Sequence, residues 1–281
     1  MPTSKPHPQL RRALVAVALA VCGLVFAASA QAAALPTLSI AVTPTSASVG
    51  GAPESGGVNV KVADTGAKEA TVILVALKPG VTLAEAESFG KSKKSEDPNN
   101  VSEFGSIVFD AEANPGAANE AQTELKPGQY LLLTGVGEGS PTIKSHFTVV
   151  ASKAPVALPA PGATMRSIDF NFRGPSVLHV GELVRFENEG FLVHMQIGFP
   201  VRNVKAAQKA VKFLREGNER PVHKLVVGPP AIFAGPLSHG GFQQETITAR
   251  PGVYVLVCFM ETQDKRDHTR LGMERIIRIA K

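Results

Sequence analysis

Two turn motifs recur in this sequence at one spacing, and that limits the folds open to it more than any other feature. "DTGAKEATVILVAL" (64–77) aligns with "NEGFLVHMQIGFPV" (188–201), setting Gly66 against Gly190. "LKPGQYLLLTGV" (125–136) aligns with "ARPGVYVLVCFM" (249–260), setting Gly128 against Gly252 and Tyr130 against Tyr254. Both alignments use the same offset of 124 residues. A single Pro-Gly turn is common; two independent motifs at one offset point to an internal duplication. Between them run Val-rich stretches broken by Gly, Pro and Asn, with little helical periodicity, which predicts an all-β chain of two tandem β-sandwiches. The Pro- and Ala-rich "SKAPVALPAPGAT" (152–164) reads as a linker. The expected organisation is a leader at 1–32, a first domain at 33–151, a linker at 152–165 and a second domain at 166–281.

The leader reading rests on Lys5, Arg11 and Arg12, the apolar run from Ala13 to Ala28 and the small residues "ASAQAA". This is the charged start, apolar centre and A-x-A site of a secretory signal peptide, cut after Ala30 or Ala32. The run is shorter than the ~20 residues a span needs, so no stable membrane span is expected after cleavage. The mature chain is expected outside the cytoplasm, whether periplasmic, held at the cell wall or secreted. Cys22 follows Val21 inside the run, a setting that argues against a lipoprotein signal. The leader takes three of the 29 basic residues and none of the 24 acidic ones. The sequence pI of 9.2 is therefore partly a leader effect, and no nucleic-acid partner is read from it. Cysteine counting says more: without Cys22, only Cys258 remains. A lone cysteine in an exported protein pairs between chains or has a use for its thiol.

The two copies differ in chemistry. At the common offset His194 faces Ala70 and Cys258 faces Thr134. Past that point the second copy is about five residues longer, where His268 and Met273 lie; the first copy has His146 but no cysteine or methionine nearby. Taken singly, a strand histidine, a buried methionine or a small apolar cysteine is ordinary packing. Their coordinated absence from the sister copy is not what packing alone predicts. A thiolate, two imidazoles and a thioether form the donor set of a mononuclear copper site. Zinc shares the His and Cys donors, but the thioether favours copper.

"FRGPSVLHVGELVRFENEGFLVH", "PGVYVLVCF" and "HTRLGM" resemble the plastocyanin/azurin (cupredoxin) family over roughly residues 165–281. Residues 36–151 share the likeness only through the repeat. The resemblance implies eight-stranded Greek-key sandwiches with copper ligands at His194, Cys258, His268 and Met273. It implies one copper per chain, cycling between Cu(II) and Cu(I), and an electron carrier rather than a stand-alone enzyme, serving a redox partner protein. His268, on the loop, is the expected point of electron exit. Copper nitrite reductases and multicopper oxidases place a histidine beside the ligand cysteine to feed a second centre; here the neighbours are Val257 and Phe259. Two other readings use the same chain differently: copper buffering or delivery through the same ligands, or protein interaction through the ligand-free first domain.

Three departures from the family pattern stand out. The loop between Cys258 and His268, "FMETQDKRD", is long and charged. Met195 follows the strand histidine where small blue proteins often have Asn. An insert at 202–241 contains "NVKAAQKAVKFLREGN", which reads as a helix with an apolar face of Val204, Ala207, Val211 and Leu214. His179, His223 and His239 fall in turns or in the insert; they read as structural or solvated, although His223 and His239 could also form a second metal site or line a copper entry path.

Overall fold

The computed structural model describes residues 34–281 apart from 52, 67–68, 114–117 and 137–140. The predicted leader, Cys22 included, lies outside the described residues. The first copy contributes β1 (Thr37–Val42), β2 (Ala47–Gly50), β3 (Gly56–Asp64), β4 (Ala70–Leu77), β5 (Gly105–Ala113), β6 (Ala118–Leu125), β7 (Gly128–Val136) and β8 (Thr142–Val149). The second contributes β9 (Ala163–Ile168), β10 (Asn171–Arg173), β11 (Val177–His179), β12 (Leu183–Asn188), β13 (His194–Val201), β14 (Ala231–Leu237), β15 (Phe242–Thr246), β16 (Gly252–Val257) and β17 (Glu274–Ala280).

The duplication holds at the level of strand register. Ala76 lies opposite Tyr130 on β4–β7, and Pro200 opposite Tyr254 on β13–β16. Asn59 lies opposite Gln122 on β3–β6, and Leu183 opposite Thr246 on β12–β15. Each second pair is the first displaced by the same 124 residues. The chain's only two tyrosines do the same job: Tyr130 Oη donates to Lys126 O at 2.9 Å and Tyr254 Oη to Arg250 O at 2.8 Å, pinning each strand to its preceding turn.

One eight-stranded sheet runs through both copies in the order β10-β9-β12-β15-β6-β3-β1-β2. Read from either end it gives the same succession of equivalent strands, so the copies face each other across β15 and β6. A four-stranded sheet, β5-β4-β7-β8, closes the first sandwich, and a five-stranded sheet, β11-β17-β16-β13-β14, closes the second. Period-two alternation builds the cores: Leu38, Ile40 and Val42 point inward from β1, and Val184, Phe186 and Asn188 from β12.

The stretch read as one helical insert is more mixed than expected. It holds α2 (Val204–Arg215) and the short α3 (Arg220–His223), and then becomes β14. The first copy has its own excursion at the same place, with α1 (Leu83–Gly90) and two 3₁₀ turns ahead of β5. Asn203 caps α2, its side chain accepting from Ala206 N–H at 3.0 Å. The buried stripe is Ala207, Ala210 and Leu214, while Val204 is half exposed because it sits on the first turn, beyond the sheet it covers. Burying Leu214 contributes about 2 kcal/mol. The helix lies over Val201, Val255 and Val257, and this explains why β16 is buried on both faces. The other face of β16 carries Tyr254 and Leu256, with Cys258 next in the alternation, into the sandwich core. β9 begins at Ala163, inside the stretch read as linker. The rest of that stretch is fastened along its length, with Val156 O accepting from Gly57 N–H at 2.7 Å and Pro159 O from Gln244 Nε2 at 3.1 Å.

Candidate metal centre

His194 opens β13 and its side chain points inward by the alternation of that strand. Cys258 follows the last residue of β16. His268 begins a 3₁₀ turn, His268–Leu271, and Met273 immediately precedes β17. Gly272, in the left-handed region at φ 100°, reverses the chain between them. The loop from Cys258 to His268 is long, but it folds on itself. Glu261 bridges Asp267, Thr262 N–H donates to Arg266 O at 3.0 Å, and His268 N–H reaches Met260 O at 2.8 Å. Asp264, Lys265 and Arg266 therefore lie towards its tip, and its base, closed by the Glu261–Asp267 bridge, delivers His268 beside Cys258.

Three donor atoms converge. His194 Nδ1 is 3.1 Å from His268 Nδ1, and Cys258 Sγ is 3.7 Å from the first and 3.4 Å from the second. Edges of about 3.5 Å are what a metal spans in a trigonal plane at about 2.0 Å from nitrogen and 2.3 Å from sulfur. All three residues are buried, at 1% exposure or less. His268 Nε2 is buried without a hydrogen-bond partner among the described residues, so its ring has no polar tie holding it except through Nδ1. Met273 is fully buried in the same core cluster. Its C=O accepts from Cys258 N–H at 3.3 Å and its N–H donates to His268 O at 2.9 Å, which ties its backbone to two of the three donors.

Electrostatics prepare these groups for a cation. Burial lowers the His194 pKa, opposed by Asp169, and burial together with His194 takes His268 down to about 4. Both imidazoles are neutral near pH 7 and have a lone pair to give. Burial pushes the Cys258 thiol up to about 12, opposed by the N–H groups of Met195 and Met260, the first at 3.4 Å from Sγ. The thiol is protonated near pH 7, and a metal held there would take the place of that proton. A soft sulfur donor with two neutral imidazoles fits copper.

Three residues beyond the sequence-derived set belong to this centre. Asp169 Oδ1 accepts from His194 Nε2 at 2.9 Å, which puts the proton on Nε2 and the lone pair on Nδ1. Phe170 packs against His268 edge to face, with centroids 5.3 Å apart. Asn99, from the first copy, touches the backbone beside His194. His268 itself is fully buried, at 0% solvent access, and the turn between β9 and β10 lays Phe170 against it. The other histidines stay out of the donor cluster. His179 sits 3.6 Å from Glu182, His223 is exposed on α3, and His239 Nδ1 contacts Gly190 O at 3.0 Å.

The two stacked sheets of the second copy carry this donor triangle at one end, between the start of β13 and the loop after β16. The fold is a β-sandwich in each copy, the two sharing one sheet. Solved structures similar to the chain include reduced auracyanin from Roseiflexus castenholzii, at 21% identity, covering 42% of this chain and 95% of that one, with a TM-score of 0.26. Auracyanin A from Chloroflexus aurantiacus, a "blue" copper protein, gives 18% identity, 41% and 95% coverage and a TM-score of 0.25. A copper-containing nitrite reductase from Thermus scotoductus gives 15% identity, 88% and 68% coverage and a TM-score of 0.26. No protein-family model and no curated protein matches the chain.

Proposed function

We propose that this cupredoxin-like chain holds one copper ion between His194 Nδ1, Cys258 Sγ and His268 Nδ1, with Met273 as a weak fourth donor, and carries single electrons outside the cytoplasm. The observation that supports this best is the closed donor triangle, three buried atoms 3.1 to 3.7 Å apart with no protein cation among them. When bound, copper supplies the Cu(II)/Cu(I) couple. The chain's residues do the rest. Asp169 fixes the ring plane and tautomer of His194, the N–H groups of Met195 and Met260 stabilise negative charge on Sγ, and Phe170 keeps water from His268. Ligands held at the ends of interior strands, and in a turn tied to them, rearrange little on a change of charge, which suits electron carriage. Their enclosure favours a retained ion over buffering or delivery. Val257 and Phe259 beside Cys258 offer no donor for a second metal, which favours a carrier, serving a separate redox protein, over a stand-alone oxidase or reductase. Residues 33–151 form the ligand-free domain in this reading and 166–281 the copper domain. The leader is the support for export, and no described helix is long and apolar enough to cross a membrane.

The test is visible absorption and electron paramagnetic resonance of the mature protein after Cu(II) addition, beside Cys258→Ser. An intense blue charge-transfer band, narrow hyperfine splitting and one copper per chain are expected, all lost in the variant. Colourless protein that retains no copper would sink the reading.

A further inference from the structure

The ligand-free copy reaches into the metal centre at one side chain. Asn99 lies in the 3₁₀ turn Pro98–Glu103 between β4 and β5 and is 7% exposed. Its Oδ1 accepts from Val193 N–H at 2.8 Å, and its Nδ2 donates to Glu261 O at 3.0 Å. Val193 is the residue before His194. Glu261 is bridged to Asp267, the residue before His268. One amide is thus bonded to both backbone segments that present the imidazoles, and each half of it is used according to its chemistry. The amide is itself held. Asp97 Oδ1 accepts from Asn99 N–H and from Nδ2, both at 2.9 Å, which fixes the turn and the side-chain orientation.

The two segments come from strands far apart in sequence, and their mutual spacing sets the distance between His194 Nδ1 and His268 Nδ1. The turn that carries Asn99 joins strands of the first copy, so its position does not depend on the metal. Val193 is buried, and a buried backbone N–H needs a partner; at Val193 that partner is this side chain from the sister copy, whose Nδ2 also bonds Glu261 O.

We propose that Asn99 is a positioning residue of the metal centre, through which the ligand-free copy clamps the His194 and His268 segments at coordination distance. The proposal deepens the copper reading and rests on it for its metal-dependent part. It also gives the duplicated, ligand-free copy a role, that of a fixed template against which the ligand loops are set.

The experiment compares the full mature chain with Asn99→Leu, which removes both bonds, and Asn99→Asp, which keeps an acceptor for Val193 but loses the donor to Glu261. Thr123→Val is the control, since it deletes another bond between the copies, from Thr123 Oγ1 to Phe242 O at 2.8 Å, away from the ligand loops. Copper release to a chelator and the paramagnetic resonance spectrum are read on loaded protein, and amide hydrogen exchange on apoprotein. Release about 10-fold to 100-fold faster is expected for Asn99→Leu, less for Asn99→Asp, with broadened hyperfine lines. Faster exchange at Val193 and His268 is expected with Tyr254 to Leu256 unchanged. Thr123→Val should lower the thermal midpoint and leave release and spectrum as in wild type. The clamp is overturned if Asn99→Leu merely loses stability as the control does, with wild-type release, spectrum and exchange at Val193. Should Asn99→Leu not fold, Asn99→Asp decides by the same readouts. Should the wild type take up no copper, the copper reading fails, and exchange at Val193 and His268 alone decides the clamp.

Discussion

His194 needs two things to serve as a donor: a lone pair on Nδ1 and a ring that does not turn. Asp169 provides both. Its carboxylate accepts from Nε2 and is itself held by Phe191 N–H at 3.0 Å and Leu192 N–H at 3.1 Å. Partial burial raises the Asp169 pKa, but those N–H groups and His194 outweigh it, and the net direction is down, so the group is a carboxylate near pH 7. Asp169→Ala should release copper about 10-fold to 100-fold faster than wild type, while Asp169→Asn, which still offers an Oδ1 acceptor, should retain most of the affinity. Chelator competition measures this, and wild-type release from the alanine variant would remove Asp169 from the centre. The candidate donors were legible in the sequence because Cys and Met are rare here and absent from the sister copy. Asp169 was not, since an aspartate in a hairpin turn is ordinary turn chemistry. Gly190 was legible for the wrong reason. Its partner in the repeat, Gly66, has φ 123° and needs glycine for its backbone. At Gly190 a Cβ would lie 2.6 Å from His194 Nε2 and 2.7 Å from Asp169 Oδ1, so the constraint is crowding at the centre.

At the scale of elements, the β9–β10 hairpin does as much for the site as the strands that carry the ligands. Ile168 pairs with Asn171, leaving Asp169 and Phe170 as the two-residue turn. Phe170 takes φ 59°, a left-handed conformation that costs a non-glycine residue about 1–2 kcal/mol. That conformation places the aromatic ring against His268. A covered centre is a less polar one, and lower polarity disfavours the more highly charged oxidised state. Phe170→Gly relieves the backbone and uncovers the imidazole together. The variant should keep one copper per chain and show a lower reduction potential by voltammetry; an unchanged potential would mean that Phe170 does not set the polarity at His268. Elements with a strong period were readable in advance, α2 among them, although Val204 proved exposed and Ala210 took its place in the buried stripe. The turns that finish the site have no period, and their contacts depend on strands brought together only by the fold.

At the scale of the whole molecule, the repeat offset was visible in the sequence and recurs in the register of both sandwiches. The seam between copies was not visible, because polar residues of ordinary type build it. Gln244 Nε2 donates to Gln122 Oε1 at 3.3 Å across the join of β15 and β6, and Ser238 Oγ accepts from Ile107 N–H at 2.9 Å. Beside this seam lies a cleft of about 1580 Å³ whose wall includes Glu245 and the buried Asp110. Burial pushes Glu245 up to about 8, from an ordinary value of 4.5, and burial followed by Glu112 raises Asp110 in the same direction. In the folded chain Glu245 therefore holds its proton across a window, roughly pH 4.5 to 8, in which the unfolded chain has released it. The folded state binds more protons there, so stability falls as pH rises through that window. Above about pH 6.5, where His194 and His268 no longer offset it, the apoprotein's thermal midpoint should decline towards pH 8, and Glu245→Gln, which cannot ionise, should flatten that decline and raise the midpoint at the alkaline end. Asp169, Glu85 and Glu120, all with lowered values, act with the opposite sign below the ordinary carboxylate range, while the lowered His194 and His268 act with the opposite sign inside the window, up to their ordinary value of 6.5. Parallel midpoint curves for wild type and Glu245→Gln would show that the cleft solvates the carboxylate and that the seam between the copies does not sense pH through it.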